Sequence, residues 1–239
     1  MKRLRFFTTL IAIVLIVACT NGQNRKTVYG NGKVVTKERQ AGSFDGLRVS
    51  TGIDVYLRQG DKESISVESD ENLQEYIITE IQGGVLHVYS EANIRDSKEK
   101  KVYVTMKDIK SVKASSAGDI TGESPIRTKD IEIDVSSAGD IRLDVTADKI
   151  NADISSSGDL SLKGKADILE ADLSSAGDLN AYDLEVREAN VSVSSAGDAD
   201  INVSEKLTAR ASSAGDINYS GNPKYIDAHS SSAGGVHKK

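Results

Sequence analysis

An all-β fold, specifically a right-handed parallel β-helix with coils of about 20 residues, is the architecture this chain predicts. Three observations carry that expectation. First, the phrase Ser-Ser-Ala-Gly-Asp, with small variations, recurs through the second half, its glycines at Gly118, Gly139, Gly158, Gly177, Gly197, Gly215 and Gly234. The spacings are 21, 19, 19, 20, 18 and 19 residues. Such a period, held while the intervening residues are rewritten, means one short unit stacked on itself. Second, the segments between phrases alternate apolar and polar, as in Ile141, Leu143, Val145 and then Ile150, Ala152, Ile154. Period two means strand; a helical repeat would need apolar residues at i, i+3 and i+4. Third, the spacing changes only by one or two residues from coil to coil, which bulges at a corner opposite the phrase would absorb. Right-handedness follows from the strong preference for right-handed crossovers between parallel strands.

Taken in order, residues 1–18 read as a secretory leader: Lys2, Arg3 and Arg5 precede an apolar run from Leu10 to Ala18. That run is too short for a comfortable membrane span. It ends at Ile16-Val17-Ala18-Cys19, which resembles the lipobox of bacterial lipoproteins, and Cys19 is the single cysteine of the chain. The expected lipidation site is therefore Cys19, attaching the protein to a membrane through an acyl chain. No disulfide framework is available to an exported chain with one cysteine.

Loss of Lys2, Arg3 and Arg5 with the leader takes three from the 30 basic residues and none from the 36 acidic ones, moving the net charge from −6 to −9. That sign, with no Trp and only Phe44 left of three phenylalanines, argues against nucleic acid as a partner. Residues 19–43 read as the lipid-anchored cysteine and a polar tether. The residues after Cys19, Thr20-Asn21-Gly22-Gln23, lack the acidic run that in some bacteria directs lipoproteins outward, which favours a periplasm-facing anchor in the cell envelope.

Residues 44–113 carry strand-like runs without the phrase: Leu47–Ser50, Ile53–Leu57, Ile65–Val67, Val85–Tyr89 and Val102–Thr105. Glu71–Glu80 is ambiguous between a helical turn and a strand. Residues 114–239 are the regular solenoid. Within the phrase, Gly is expected to supply a backbone position with φ > 0, and Asp to bond nearby turn amides. The tail Val236-His237-Lys238-Lys239 offers no dedicated cap, so it either blunts the open edge or leaves it for another copy.

The motifs Phe44-Asp45-Gly46-Leu47, Ser50-Thr51-Gly52-Ile53-Asp54-Val55-Tyr56-Leu57, Gln59-Gly60-Asp61 and Gly83-Gly84-Val85-Leu86 follow one another in an order that resembles the bacterial head GIN domain family of auto-transporter adhesins. The Gly-Ile-Asn of that name is Gly52-Ile53-Asp54 here, and the likeness spans roughly residues 44 to 235. It implies a β-helical fold and an envelope location. It implies no reaction, and no site residues carry over. No segment could form the translocating barrel that the word auto-transporter implies.

Stacking places Asp119, Asp140, Asp159, Asp178, Asp198 and Asp216 in one column, each neighbouring pair repelling by about 0.9 kcal/mol at the dielectric of water. Two readings stand: turn carboxylates bonded to local amides, or a ladder for cations. Calcium is the natural ion for the second, although no other acidic ladder at fixed offset accompanies the phrase. No cofactor is otherwise implied. A repeated Asp reads as architecture, whereas an active site is a singular constellation. His87, His229 and His237 are scattered, and Tyr182, Tyr219 and Tyr225 occupy different coil positions. The function expected is a non-catalytic binding or structural rod, with an envelope or host glycan or protein as partner. The alternative is a polysaccharide-acting β-helix enzyme, lyase or hydrolase.

Overall fold

The computed structural model describes residues 25–239, so the leader and Cys19 lie outside the described residues. The first half contains β1 (Thr27–Tyr29), β2 (Val34–Arg39), β3 (Gly46–Val49), β4 (Asp54–Gln59) and β5 (Ser64–Asp70). A 3₁₀ turn at Glu71–Leu73 precedes β6 (Ile77–Gln82), β7 (Val85–Ser90), β8 (Asn93–Arg95) and β9 (Lys100–Met106). β10 (Ser111–Ala114), β11 (Asp119–Gly122) and β12 (Ile126–Val135) open the regular part. Four long strands follow, β13 (Asp140–Ile154), β14 (Asp159–Leu173), β15 (Asp178–Val193) and β16 (Asp198–Ala211). The chain ends with β17 (Asp216–Ser220), β18 (Tyr225–Ser230) and β19 (Gly235–Lys238). Among the described residues no helix is long and apolar enough to cross a membrane.

Two parallel ladders flank the repeated corner. The ladder entering it runs β7, β3, β10, the second halves of β12 to β16, and β18. The ladder leaving it runs β9, β4, β11, the first halves of β13 to β16, β17 and β19. Each holds nine strands, so the stack rises through eight steps, or about 38 Å. Inward residues repeat coil after coil: Ile131, Ile150, Leu169, Ala189 and Leu207 lie in register, none more than 3% exposed. One continuous core joins Phe44 to Tyr219. The β-solenoid expected from the period is what these residues form.

Stack order departs from chain order. β3 and β4 lie between the layer made by β7 and β9 and the layer made by β10 and β11. The chain thus builds its second layer first, loops away through residues 60–109 to build the layer beneath, and returns to continue upward. β5 pairs antiparallel with β9, β2 pairs antiparallel with β5, and β6 pairs antiparallel with β7. These strands close the N-terminal end. The edge strand β2 carries Lys37, Glu38 and Arg39, charges that discourage a further strand from adding there.

Residues 27–39 therefore correct the tether reading. β1 pairs with β8 and β2 with β5, both inside a segment taken for linker on its polar composition. An edge strand keeps much of its surface wet, so polar residues are compatible with pairing. The ambiguous stretch resolves into the 3₁₀ turn followed by β6. Length differences between coils are absorbed where predicted, as a one-residue register shift at Ser161/Gly164 and larger, partly offsetting shifts between Ala181 and Glu188, on the side away from the phrase. Pro125 and Pro223 both lie outside strands.

Candidate functional site

The corner is built from backbone. Its first Ser accepts a hydrogen bond from the Gly amide three residues on, as in Gly139 N–H to Ser136 O at 3.1 Å and Gly158 N–H to Ser155 O at 3.0 Å. The two residues between take positive φ in every repeat, from 51° at Ser175 to 67° at Ala233. This corrects the expectation for glycine: the left-handed positions are the second Ser and the Ala, and the phrase glycines do not share them. Glycine is required by close approach instead. A Cβ on Gly158 would stand 2.8 Å from the Val135 carbonyl oxygen, and one on Gly177 2.8 Å from that of Ile154. The ladder also continues through the turn, the Ala138 amide donating to Ser156 O of the next coil at 3.1 Å. Each corner thus exposes two small residues, and from Gly118 to Gly215 it buries its Gly; Gly234 in the last is half-buried.

The aspartate column is longer than the phrase revealed. Asp54 pairs in register with Asp119, so Ser50-Thr51-Gly52-Ile53-Asp54 is a corner of the same type, with positive φ at Thr51 and Gly52. From there the column passes through Asp119, Asp140, Asp159, Asp178, Asp198 and Asp216, ending at Gly235. Bonding to local turn amides is corrected as well, since the Gly amide already serves the turn. The column's side-chain partners are instead Arg142 with Asp140 at 3.2 Å, His237 near Asp216 at 3.7 Å, and the Asp198 amide donating to Asp178 at 3.1 Å. Among the described residues no three His, Cys, Asp or Glu side chains gather to hold a metal ion. A calcium ion on this column would draw on neighbouring carboxylates and otherwise on water.

Burial, then the carboxylates above and below, raise Asp119, Asp159 and Asp198 above the ordinary 3.8. The folded state holds these protons more tightly than the unfolded chain. Their contribution to stability therefore improves as pH falls from neutrality through the raised values toward 3.8, and is lost as pH rises again. Replacing all three by Asn is expected to raise the neutral-pH stability, and with it the melting midpoint, by about 0.5 kcal/mol per substitution, since water screens these largely exposed pairs. Thermal melts across pH should show that advantage vanishing below 3.8. Millimolar calcium, which screens the same repulsion, should raise the midpoint of the parent and not of the triple variant.

Beside the corner runs a furrow. Its wall is the first Ser of each phrase, and its floor is the column Arg48, Lys113, Asp134, Asp153, Asp172, Ser192 and Arg210. Two hollows occupy it: one of about 430 Å³ along Asp153, Asp172, Ser174, Ser194 and Arg210, and one of about 240 Å³ along Arg48, Lys113, Asp134 and Ser136. Asp153 and Ser155 line both, so the furrow is continuous. Lys113 pairs with Glu132 at 2.6 Å and Asp134 at 2.5 Å, and Arg210 with Asp227 at 2.8 Å. Asp153, between two like charges, is raised by burial first and by Asp134 and Asp172 next. The furrow is thus acidic at its centre and cationic toward both ends. Asp134, Asp153 and Asp172 form the second acidic ladder that the sequence reading did not find; its signal was an Asp two residues before the first Ser of three successive phrases.

The first half holds a further hollow, of about 660 Å³, where Thr51, Gly52, Asn93, Lys100 and Ser116 meet Arg25. Lys100 Nζ donates to the Gly52 carbonyl. Cations line this hollow, with no carboxylate or imidazole to serve as acid or base. Tyr56 and Tyr103, far apart in sequence, stack up the ladder with ring centroids 5.2 Å apart. His87 continues the furrow floor next to Arg48, while His229 lies 3.5 Å from Asp227.

Comparison with known families matches residues 43–223 to the family described as "Putative auto-transporter adhesin, head GIN domain". The crystal structure of a "putative adhesin" from Bacteroides fragilis NCTC 9343 superposes with a TM-score of 0.83 at 20% identity, covering 89% of this chain and 100% of that one. A "putative adhesin" from Parabacteroides distasonis ATCC 8503 gives 0.72 at 23% identity, over 90% and 100%. A "putative lipid binding protein" from the same strain gives 0.70 at 22%, again over 90% and 100%. At these identities the likeness establishes the fold. No curated protein matches this chain.

Proposed function

Given that the chain belongs to the head GIN domain family of adhesin-like proteins, we propose that it is a non-catalytic binding rod of the bacterial envelope that seats a linear glycan along the Asp-Ser furrow. The observation that carries this reading is the continuity of the furrow from Arg48 to Arg210, six steps or about 29 Å of identical rise. Each rung offers a hydroxyl or a charged group. A polymer of regularly spaced hydroxyls matches that surface, because Ser both donates and accepts while a carboxylate accepts from two directions. Many weak, repeated contacts add along a stiff polymer without a single deep pocket. Cys19, acylated, would hold the rod to the membrane, facing the periplasm.

The test is glycan-array binding followed by calorimetry on the best polymer, with cleavage of the same polymers followed by mass spectrometry. Replacing Asp153, Asp172 and Arg210 together by Ala is expected to weaken binding at least about tenfold, the equivalent of 1.4 kcal/mol, with the fold intact. Binding that ignores this triple change would remove the furrow from the function. Shortened polymers would instead favour the polysaccharide-acting enzyme. A Cys19→Ser chain should leave the membrane fraction.

A further inference from the structure

The two ends of the rod are unlike. At the N-terminal end β2, β5, β6 and β9 close the stack with antiparallel strands. At the C-terminal end no strand among the described residues pairs with the outer edges of β18 and β19. Ile226 sits on Leu207 in the core column, yet it is 49% exposed while Leu207 is 0%. Ala228, above buried Ala209, is exposed as well, and Val236, above buried Ile217, is half-buried. At the margins the same inward columns turn polar, with Ser230 above Ala211 and Lys238 above Tyr219. An apolar centre with a polar rim, bounded by unpaired strand edges, has the anatomy of an interface.

We infer that this end is the contact between two copies of the chain, joined through their β18 edges about a twofold axis. A head-to-tail contact would have to use the free edges at the other end, β2 and β6; β2 bears Lys37, Glu38 and Arg39, and β6 a single charge, Glu80. A second β18 offers the charges that match this one, and such an isologous contact stops at the dimer. The sequence of β18 suits this. Antiparallel pairing with Ala228 on the axis sets Asp227 opposite the partner subunit's His229, and His229 opposite the partner subunit's Asp227. It also sets Ile226 opposite the partner subunit's Ser230, all inward. Slipping the axis to Asp227 would oppose two like charges, and a slip of one residue in pairing would turn inward residues outward.

Sedimentation velocity on the chain from residue 25, which contains every core residue, should show a monomer–dimer equilibrium moving to dimer between micromolar and millimolar protein. Ile226→Lys, at a position already half exposed, should give a monomer with an unchanged melting midpoint. Ala228→Cys, the single thiol in that chain, should close into a disulfide-linked dimer on mild oxidation, while Ala117→Cys on the exposed corner should not. A monomer at every concentration, a dimer indifferent to Ile226→Lys, or open-ended polymers would each overturn the inference. So would a monomer that binds anionic vesicles through Ile226 and Lys238, which would make the end a membrane contact.

Discussion

Replacing Gly177 by Ala is expected to destabilise the solenoid by about 3 kcal/mol, whereas replacing its neighbour Ala176 by Gly leaves stability unchanged or slightly higher. The new methyl at position 177 would lie 2.8 Å from Cγ2 and the carbonyl oxygen of Ile154 and 2.9 Å from its carbonyl carbon. These atoms belong to the strand below and cannot yield without opening the rise between coils. Ala176 is the left-handed residue, at φ 59°. An L-residue there bears about 1–2 kcal/mol of strain that Gly would relieve, against about 0.4–1 kcal/mol of unfolded-state entropy that Gly adds. At about 2–4 °C per kcal/mol for a chain of this size, thermal melts should separate the two variants by about 6–12 °C or more. Equal losses would mean that the corner needs glycine for its turn after all.

A second large effect is expected in the core, and it depends on height in the stack. Ile150→Ala should cost about 4 kcal/mol, because Ile150 is fully buried between Ile131 and Leu169 and neither neighbour can collapse into the space. Ile226→Ala, in the same column, should cost less than about 1 kcal/mol in the monomer, since no described strand of its own copy lies above it. Because each coil contacts only its neighbours, hydrogen exchange in the Ile150 variant should quicken most in residues 131–135 and 169–173 and little in the closed N-terminal end. A uniform rise over the whole rod would mean that it melts as one unit.

The fold was legible because a coil that stacks on itself must repeat its inward residues and its corner, and the Ser-Ser-Ala-Gly-Asp phrase prints both. The strands around Leu47, Val55, Ile65, Leu86 and Val104 were legible from alternation alone. Their order in the stack was not, because period carries information only when chain neighbours are also space neighbours. The corner at Ser50–Asp54 escaped notice for a related reason. Its fourth residue is Ile53, fully buried, where later corners have Gly. The layer beneath it turns through the wider segment 91–99, which leaves room for a side chain. The glycine role was misjudged by inferring backbone angle from residue type, when steric contact between coils was the stronger constraint. Half of the furrow was visible in the corner Ser residues. The other half, Asp134, Asp153 and Asp172, lay outside the phrase and became a surface only once register aligned it.

The layer order has a mechanical consequence. A rod held at its N-terminal end and loaded at its tip would be peeled from β19 downward, each coil of 19 residues yielding about 65 Å of chain and leaving the rest intact. The interleaved block cannot be peeled in that way. β3 and β4 are clamped between the layer built by β7 and β9 and the layer built by β10 and β11, and both were laid down later in the chain. Removing the upper layer exposes them without freeing them. The distal coils would then act as a yielding spring, and the interleaved base would hold until the whole block gives way at once.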